Sequence, residues 1–215
     1  CFEQGQTVSA LMTAGSKVEE ALTPIAVIAF GDELKVNAEL AVEALHRLHI
    51  RTVMLSGDNL AAATRVGKKI GIDEVFAQIM PSNKAELIQK LQIDSKGKKH
   101  FVAMVGDGVN DAPALAIADV GMAMSTGTDV AMQAAGITLM RGDPTLVADA
   151  IDISKKTWNK IRQNLFWAFA FNTIGIPMAA LGYLSPMLAG SAMALSSFCV
   201  LSNALLLKRW HPQRS

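Results

Sequence analysis

A long uncharged stretch in the last quarter of the chain is the feature that most constrains its fold. Residues 165–207 contain no Asp, Glu, Lys or Arg, although 18% of the chain is charged. The short link GYLSP divides this stretch into two mostly apolar segments, 165–184 and 186–207. Each segment has about the 20 residues that a helix needs to cross a hydrocarbon core. We therefore expect a hairpin of two transmembrane helices, with two buried core helices of a soluble protein as the alternative.

Basic residues flank the uncharged stretch on both sides. They are Lys155, Lys156, Lys160 and Arg162 before it, and Lys208, Arg209 and Arg214 after it. Because loops rich in Lys and Arg stay on the cytoplasmic side of a membrane, both ends of the hairpin should be cytoplasmic. We expect a multi-pass protein of a cell membrane, and the short loops and compact tail favour a bacterial inner membrane.

Before the uncharged stretch, segments with helical apolar spacing alternate with short β-rich runs. Helical spacing covers residues 36–48, 60–70 and 84–91, and short helices are expected from Ala112 and after Thr128. The β-rich runs are RTVMLS, VFAQIM, HFVAMV, VGMAM and GITLM, preceded by two strands at residues 6–12 and 24–30. Strands that alternate with helices in this way form a parallel sheet covered by helices, which binds ligands at the carboxyl ends of its strands. The predicted fold class is therefore α/β.

The composition argues against other classes of protein. The formal net charge is +1 and there is no basic stripe with interleaved aromatic residues, so we expect no nucleic-acid partner. The two cysteines, Cys1 and Cys199, suggest neither a disulfide framework nor a zinc site. The chain starts with Cys and its opening lacks the features of a signal peptide, which we interpret as a fragment whose beginning is missing.

The strongest local motif is GDGVNDAPAL, residues 106–115, which follows the apolar run FVAMV. Glycines let the backbone turn sharply and approach a ligand. A carboxylate at the end of a strand can hold Mg²⁺, and an amide side chain can reach a phosphoryl oxygen. We interpret this segment as a loop that binds phosphate and magnesium.

Two weaker signals lie elsewhere along the predicted sheet edge. The run RTVML ends in Ser56-Gly57-Asp58-Asn59, which places a hydroxyl at the same edge, and Lys84 opens a predicted helix. Taken alone, Ser56 or Asp58 is better explained as a helix N-cap, and Lys84 as a solvated side chain.

Together these motifs resemble the phosphorylation domain of the P-type ATPases. SGDN, PSNKAELIQKLQ, GDGVNDAPAL and GTDVAMQAAGITLM occur in the order and spacing of that family, and the resemblance extends from Ile25 to Leu207. It implies a haloacid-dehalogenase-like sheet and an aspartate that ATP phosphorylates. In the family that nucleophile lies in the motif Asp-Lys-Thr-Gly-Thr, which this sequence lacks. The resemblance therefore implies a nucleophile upstream of the chain.

The resemblance also implies roles for individual residues. Asp107 would bind Mg²⁺ together with Asp111. Ser56 would hydrogen-bond the phosphoryl group, and Lys84 would neutralise charge on the phosphorylated aspartate. The complete predicted site comprises Ser56, Gly57, Asp58, Lys84, Asp107, Asn110 and Asp111, with Gly106 and Gly108 beside the ligands. Asp32 in GDELK resembles the family's hinge between nucleotide and phosphorylation domains, with an ordinary turn carboxylate as the alternative.

Polar residues inside the predicted spans indicate the transported ion, because polar groups are costly in a membrane. Asn172 lies in the first span, and Met193 and Ser197 share one face of the second. A thioether suits Cu(I), whereas a hard cation prefers carboxylates, and neither span contains a carboxylate. The alternative is that these residues only pack and hydrogen-bond between helices.

The copper-transporting branch of the P-type ATPases carries Tyr-Asn and Met-x-x-Ser-Ser in the corresponding helices. This chain has Phe171-Asn172 and Met193-x-x-Ser196-Ser197. The zinc, cadmium and lead branch has a Lys and an Asp-Gly there, and neither occurs in these spans. Phe171 lacks the hydroxyl of the branch's Tyr, so the resemblance does not assign a metal-site role to that ring. The branch's Cys-Pro-Cys would lie on an upstream helix.

The sequence thus predicts part of an ATP-driven Cu(I) transporter, which exports copper, uses ATP and Mg²⁺, and receives copper from a soluble chaperone. The alternatives are a membrane-tethered haloacid-dehalogenase-like phosphatase and an inactive remnant. The predicted domains are the end of the nucleotide-binding domain and hinge (1–31), the C-terminal part of the phosphorylation domain (32–150), a cytoplasmic linker helix (151–164), two transmembrane helices (165–207) and a cytoplasmic tail (208–215).

Overall fold

The structure is a computed structural model that describes residues 7–13, 23–30, 34–93, 96–183 and 185–211. The chain divides into two compact units, Cys1–Ala148 and Asp149–Ser215. The predicted hinge residue Asp32 and the terminal Cys1 lie outside the described residues, as does the connection between the first two strands.

A two-stranded antiparallel hairpin opens the first unit. Strand β1, Thr7–Thr13, pairs with β2, Thr23–Phe30, and the sequence predicted both strands. The register shifts between Leu11 and Met12, where Met12 pairs with Pro24. Because proline has no backbone N–H to give to the partner strand, an irregularity at this end of the ladder is expected.

Three helices and two parallel strands follow the hairpin. In chain order they are α1 (Ala38–Arg47), β3 (Val53–Leu55), α2 (Leu60–Ile70), β4 (Glu74–Phe76) and α3 (Pro81–Gln92). Strand β3 runs parallel to β4, with Val53 opposite Glu74.

The ends of α2 and α3 follow from local sequence signals. The side chain of Asn59 caps α2 by accepting a hydrogen bond from the N–H of Ala62 over 2.8 Å. Gly71 ends α2 in the left-handed conformation, with φ of 81°, which glycine adopts without strain. Pro81 occupies the first turn of α3, where its missing N–H costs nothing.

The second half of this unit is a three-stranded parallel sheet with two short helices. Its elements are β5 (Ala103–Gly106), a 3₁₀ turn (Val109–Asp111), α4 (Ala112–Ile117), β6 (Val120–Met124), α5 (Asp129–Ala134) and β7 (Ile137–Leu139). The strands lie in the order β5-β6-β7, and all pairs are parallel. The predicted alternation of strands and helices is confirmed.

A small apolar core joins α3, α4, α5 and the sheet. It consists of Ile88, Met104, Ala114, Leu115, Ala123 and Ala131. Leu115 is 1% exposed, and burying a side chain of this size stabilises the fold by about 1.5–3 kcal/mol. A Cβ atom on Gly121 would lie 2.4 Å from the carbonyl oxygen of Leu115, so only glycine lets β6 pass this close to α4.

Two predictions about the sheet need correction. The sequence predicted one parallel sheet, whereas the described strands form separate ladders, β3 with β4 and β5 with β6 and β7. The strand predicted at residues 75–80 ends at Phe76, because the chain turns at Gln78, which has φ of 56°. The N–H groups of Gln78 and Ile79 then bond back to the loop after β3 instead of continuing the ladder.

Two long helices make up most of the second unit. Helix α6, Thr145–Ala180, begins in the first unit and continues through the predicted linker helix into the first predicted span. It ends at Ala180 rather than at residue 184, and Gly182 turns the chain with φ of 76°. Helix α7, Pro186–Leu205, is followed by a 3₁₀ turn, Leu206–Arg209.

Among the described residues, one helix, Pro186–Arg209, is long and apolar enough to cross a membrane. The second of the two predicted spans therefore meets this test. The first span, and with it the multi-pass arrangement, stays a prediction.

Candidate functional site

The loop after β5 is the centre of the candidate site. Strand β5 ends at Gly106, and Asp107 follows at the carboxyl end of the sheet, where parallel α/β folds bind their ligands. The carbonyl oxygen of Asp107 accepts a hydrogen bond from the N–H of Thr128 over 2.9 Å. A Cβ atom on Gly127 would lie 2.3 Å from that oxygen. The segment 127–128 therefore holds the Asp107 backbone in place, and its first residue must be glycine.

Lys84 and Asp111 form an ion pair that is largely shielded from solvent. The distance from Lys84 Nζ to Asp111 Oδ1 is 2.7 Å, and the two side chains are 16% and 13% exposed. Asp111 also packs against Gly106, where a Cβ atom would lie 2.9 Å from Asp111 Oδ2. The solvated-lysine alternative for Lys84 is therefore wrong, because Lys84 joins the start of α3 to the loop after β5.

A second Lys–Asp pair lies at the surface of the same loop. Lys35 Nζ is 3.3 Å from Asp107 Oδ2, and the two side chains are 52% and 53% exposed. Lys35 precedes α1 and lies far from Asp107 in sequence. Its contact with Asp107 was not predicted, and the only sequence signal was its place in the GDELK segment.

The loop after β3 is closed by its own hydrogen bonds. The hydroxyl of Ser56 donates to Asp58 Oδ2 over 2.8 Å, and the N–H of Asp58 donates to Ser56 Oγ over 3.1 Å. Asn59 is the residue that caps α2, so the alternative that Ser56 or Asp58 is the N-cap is wrong. Within the described residues, no hydrogen bond joins Ser56 to Lys84 or Asp107.

The predicted copper ligands lie on the two long helices. Asn172 Nδ2 donates to the carbonyl oxygen of Ala168 over 3.0 Å, within its own helix. Met193 is 73% exposed, and Ser197, one turn further along α7, is exposed as well. The structure therefore places a thioether and a hydroxyl on one open face of α7, and among the described residues no hydrogen bond joins Ser197 to Asn172.

A polar cluster that the sequence did not indicate joins α6 to α7. Asn203 accepts a hydrogen bond from Lys160 Nζ over 2.7 Å and donates one to Asn164 Oδ1 over 2.7 Å. Nearby, Trp210 Nε1 donates to Asp152 Oδ2 over 2.8 Å. Burial raises the pKa of Asp152, but the hydrogen bonds from Trp210 and Lys156 outweigh it and lower the pKa below its usual value.

The family of the first unit is decided by a sequence model. A model described as haloacid dehalogenase-like hydrolase matches residues 3–119, more than half of the chain. The chain belongs to the haloacid dehalogenase-like hydrolase family. Its loop after β5 and its parallel strands are thus the parts of a haloacid dehalogenase-like domain that the sequence predicted.

Curated relatives extend this similarity beyond the haloacid dehalogenase-like domain. The chain is 55% identical over 183 residues to the copper-exporting P-type ATPase of Staphylococcus haemolyticus (strain JCSC1435), which covers 85% of this chain and 22% of that protein. It is 51% identical over 187 residues to the probable copper-importing P-type ATPase A of Enterococcus hirae (strain ATCC 9790), which covers 86% of this chain and 25% of that protein. The chain therefore spans at most a quarter of the length of these two relatives.

A solved structure of a P-type ATPase is also similar to this chain. The chain is similar to a zinc-transporting PIB-type ATPase in the E2.Pi state, with a TM-score of 0.80 and 32% sequence identity. The similarity covers 97% of this chain and 32% of that structure. The predicted resemblance to the heavy-metal P-type ATPases is confirmed.

Within the haloacid dehalogenase-like domain, the structure joins some of the predicted site residues. Lys84 contacts Asp111, and Gly106 lies beside them, while Asp107 and the exposed Asn110 lie on the same loop. No group of three or more His, Cys, Asp or Glu side chains that could hold a metal occurs among the described residues. Asp111 pairs with the shielded Lys84, whereas Asp107 pairs with the more exposed Lys35.

Proposed function

We propose that this chain is part of an ATP-driven Cu(I) transporter that works through an aspartyl-phosphate intermediate. One arrangement carries the phosphoryl-transfer part of the proposal. A half-exposed carboxylate, Asp107, follows β5 at the carboxyl edge of the sheet, and the same loop contains Asp111, which pairs with a shielded ammonium group, Lys84. Phosphoryl transfer depends on fixed charges that position and neutralise the phosphoryl group, and this edge supplies such charges.

The predicted site residues would have separate roles in phosphoryl transfer. Lys84 is held by Asp111 at 2.7 Å and supplies a fixed positive charge for the phosphorylated aspartate. The Ser56 hydroxyl can turn from Asp58 to donate to a phosphoryl oxygen, because its hydrogen rotates freely. The N–H groups of Gly57 and Gly108 and the amide of Asn110 are further donors in the two loops.

Asp107 fits the role of a magnesium ligand. Its carboxylate is exposed, lies at the end of a strand and pairs with Lys35. Mg²⁺ prefers oxygen ligands and is often held by one or two carboxylates together with substrate phosphate. When bound, Mg²⁺ would neutralise the charge that develops on the transferred phosphoryl group. Asp111 would act mainly by holding Lys84.

The phosphorylated aspartate would lie in another part of the protein, because the motif Asp-Lys-Thr-Gly-Thr does not occur in this sequence. On this proposal residues 1–31 end a nucleotide-binding domain, residues 32–150 belong to the phosphorylation domain, and residues 151–164 form a linker. The spans 165–184 and 186–207 and the tail 208–215 would belong to a multi-pass protein of the bacterial inner membrane.

Copper is the proposed substrate of the membrane part. Two named copper transporters are 51–55% identical to this chain, whereas the zinc-transporting structure is 32% identical. The soft sulfur of Met193, with Ser197 and Asn172, would contribute to the Cu(I) path. We propose export, with copper delivered by a soluble chaperone, although the names of the two relatives differ in transport direction.

The test is phosphorylation of the intact protein by ATP labelled on its γ-phosphate, in the presence of Cu(I). We expect Asp107→Ala to reduce phosphoenzyme formation by about 100-fold or more, since it removes the carboxylate that would bind Mg²⁺. Asp129→Asn, which changes an exposed carboxylate in the first turn of α5, should retain wild-type labelling. Normal labelling of Asp107→Ala would contradict the assignment.

A membrane-tethered phosphatase is the second candidate, because the family match covers a hydrolase domain. Such a protein would need the phosphoryl site but not the exposed thioether of Met193. If Met193→Ala abolishes copper resistance but the protein still catalyses phosphoryl transfer, the result would favour the transporter over the phosphatase.

A further inference from the structure

The two Lys–Asp pairs on the loop after β5 differ in how firmly they are held. Lys84 and Asp111 are 2.7 Å apart and largely shielded from solvent. Lys35 and Asp107 are 3.3 Å apart, and more than half of each side chain is exposed. Ion pairs in solvent are weak because water and salt screen them. The Lys35 pair is therefore the one that a competing cation can displace.

The backbone of Lys35 takes part in the turn that precedes α1. The carbonyl oxygen of Lys35 accepts a hydrogen bond from the N–H of Ala38 over 3.1 Å at the start of α1. Asn37 adopts the left-handed conformation with φ of 70°. The flexible four-carbon stem of a lysine can leave its partner without a change in this backbone.

Open space lies beside the Lys35 side chain. Lys35 borders a pocket of about 440 Å³ together with Asn37, Thr126 and Arg141. The pocket gives the ammonium group room to move away from Asp107 without disturbing the core. Arg141 adds a second positive charge there, so a displaced Lys35 would turn towards solvent.

We propose that Lys35 is the counter-ion of Asp107 in the absence of metal, and that a divalent cation displaces it. This inference rests on the proposed magnesium role of Asp107. The Lys35 ammonium and the metal compete for the same carboxylate. Metal binding therefore frees the Lys35 side chain from the loop after β5.

Amine reactivity tests the displacement directly. The full chain is acetylated briefly with and without Mg²⁺, and the modification of each lysine is measured by mass spectrometry. We expect Mg²⁺ to increase the labelling rate of Lys35 by about two-fold or more, because the pair is exposed and weak. Lys84 is the internal control, and its labelling should stay low and unchanged. Equal labelling of Lys35 with and without Mg²⁺ would overturn the inference.

Metal affinity gives a second and independent test. We expect Lys35→Met to bind Mg²⁺ about two- to five-fold more tightly than the wild type, and Lys35→Arg to stay near the wild type. Lys69→Met, at the end of α2, should leave the affinity unchanged. If Asp107→Asn abolishes binding but Lys35→Met has no effect, the competition is wrong while the magnesium assignment stands. If Asp107→Asn leaves binding intact, the magnesium assignment itself is wrong, and the inference fails with it.

Discussion

Lys84 Nζ lies 2.7 Å from Asp111 Oδ1, and the pair joins the first turn of α3 to the loop after β5. Both side chains are less than one fifth exposed, so neither charge is well solvated. A charge in such a place is tolerated only with a partner, because removing one member leaves the other desolvated and unpaired. The pair therefore stabilises the domain as well as placing a positive charge at the site.

We predict that Lys84→Met lowers the free energy of unfolding by about 1.5–3 kcal/mol, the usual loss for a hydrogen bond to a charged group. Lys90→Met, an exposed lysine in the last turn of α3, serves as the control and should change stability little. Adding Asp111→Asn to Lys84→Met should recover part of the loss, since the unpaired charge is gone. Thermal unfolding of the four proteins measures these effects, and a double variant that is no more stable than Lys84→Met would contradict the pairing.

Gly127 is expected to tolerate no larger residue. A Cβ atom there would lie 2.3 Å from the carbonyl oxygen of Asp107, so Gly127→Ala must push the loop away or distort it. We predict a destabilisation of about 1–3 kcal/mol, as for other overpacked sites. Gly136→Ala is the matched control, because its Cβ atom would meet nothing closer than 3.9 Å. Equal melting temperatures of the two variants would show that the loop is free to move.

Asp119 makes the stability of the domain depend on pH. The N–H of Val102 donates to its carboxylate over 2.9 Å and the Gln92 amide donates over 3.1 Å, and these bonds lower the pKa of Asp119. Because the folded pKa is below the unfolded one, this stabilisation is present above about pH 4, the unfolded pKa. It is lost as the pH falls through the folded pKa. When the pH is lowered from neutral to below the folded pKa of Asp119, Asp119→Asn should therefore lose less stability than the wild type. Parallel acid unfolding curves for the two proteins would contradict this.

The thioether of Met193 should matter for copper and not for folding. Met193→Leu keeps the size of the side chain and removes the soft sulfur, so we predict a loss of Cu(I) affinity of about ten-fold, or about 1.4 kcal/mol, in the intact protein. Met187→Leu is the matched control, since Met187 is 84% exposed on another face of α7. Cu(I) titration against a chelating indicator measures both. Equal losses in the two variants would mean that Met193 has no special role.

Much of the fold could be predicted because its signals are local. The apolar spacing predicted α2 and α3, and both helices were confirmed; Gly71 and Pro81 are local signals that explain where α2 ends and α3 begins. The loop after β5 was also recognisable, since its glycines and carboxylates are adjacent in sequence. Local signals did not identify the N-cap of α2, because several neighbouring residues could each fill that position. Ser56, Asp58 and Asn59 are all good N-caps, and only the structure shows that Asn59 caps α2.

The remaining features depend on contacts between distant residues, which periodicity does not reveal. Lys35 and Asp107 are 72 positions apart, and the Lys160, Asn164 and Asn203 cluster joins two separate helices. The early end of β4 likewise depends on hydrogen bonds to the loop after β3. The Lys35 contact and the hydrogen bonds after β4 both lie beside loops of the candidate site, and the sequence predicted neither of them.

The most direct test of the account is metal-dependent phosphorylation of the intact protein. The protein is incubated with ATP labelled on its γ-phosphate and with Cu(I), Zn(II) or a copper chelator, and the labelled product is then treated with hydroxylamine, which cleaves acyl phosphates. We predict a phosphoenzyme that forms with Cu(I), is removed by hydroxylamine and is absent with Zn(II) or the chelator. A phosphoenzyme that forms equally with Zn(II), or none under any condition, would contradict a Cu(I) transporter that works through an aspartyl phosphate.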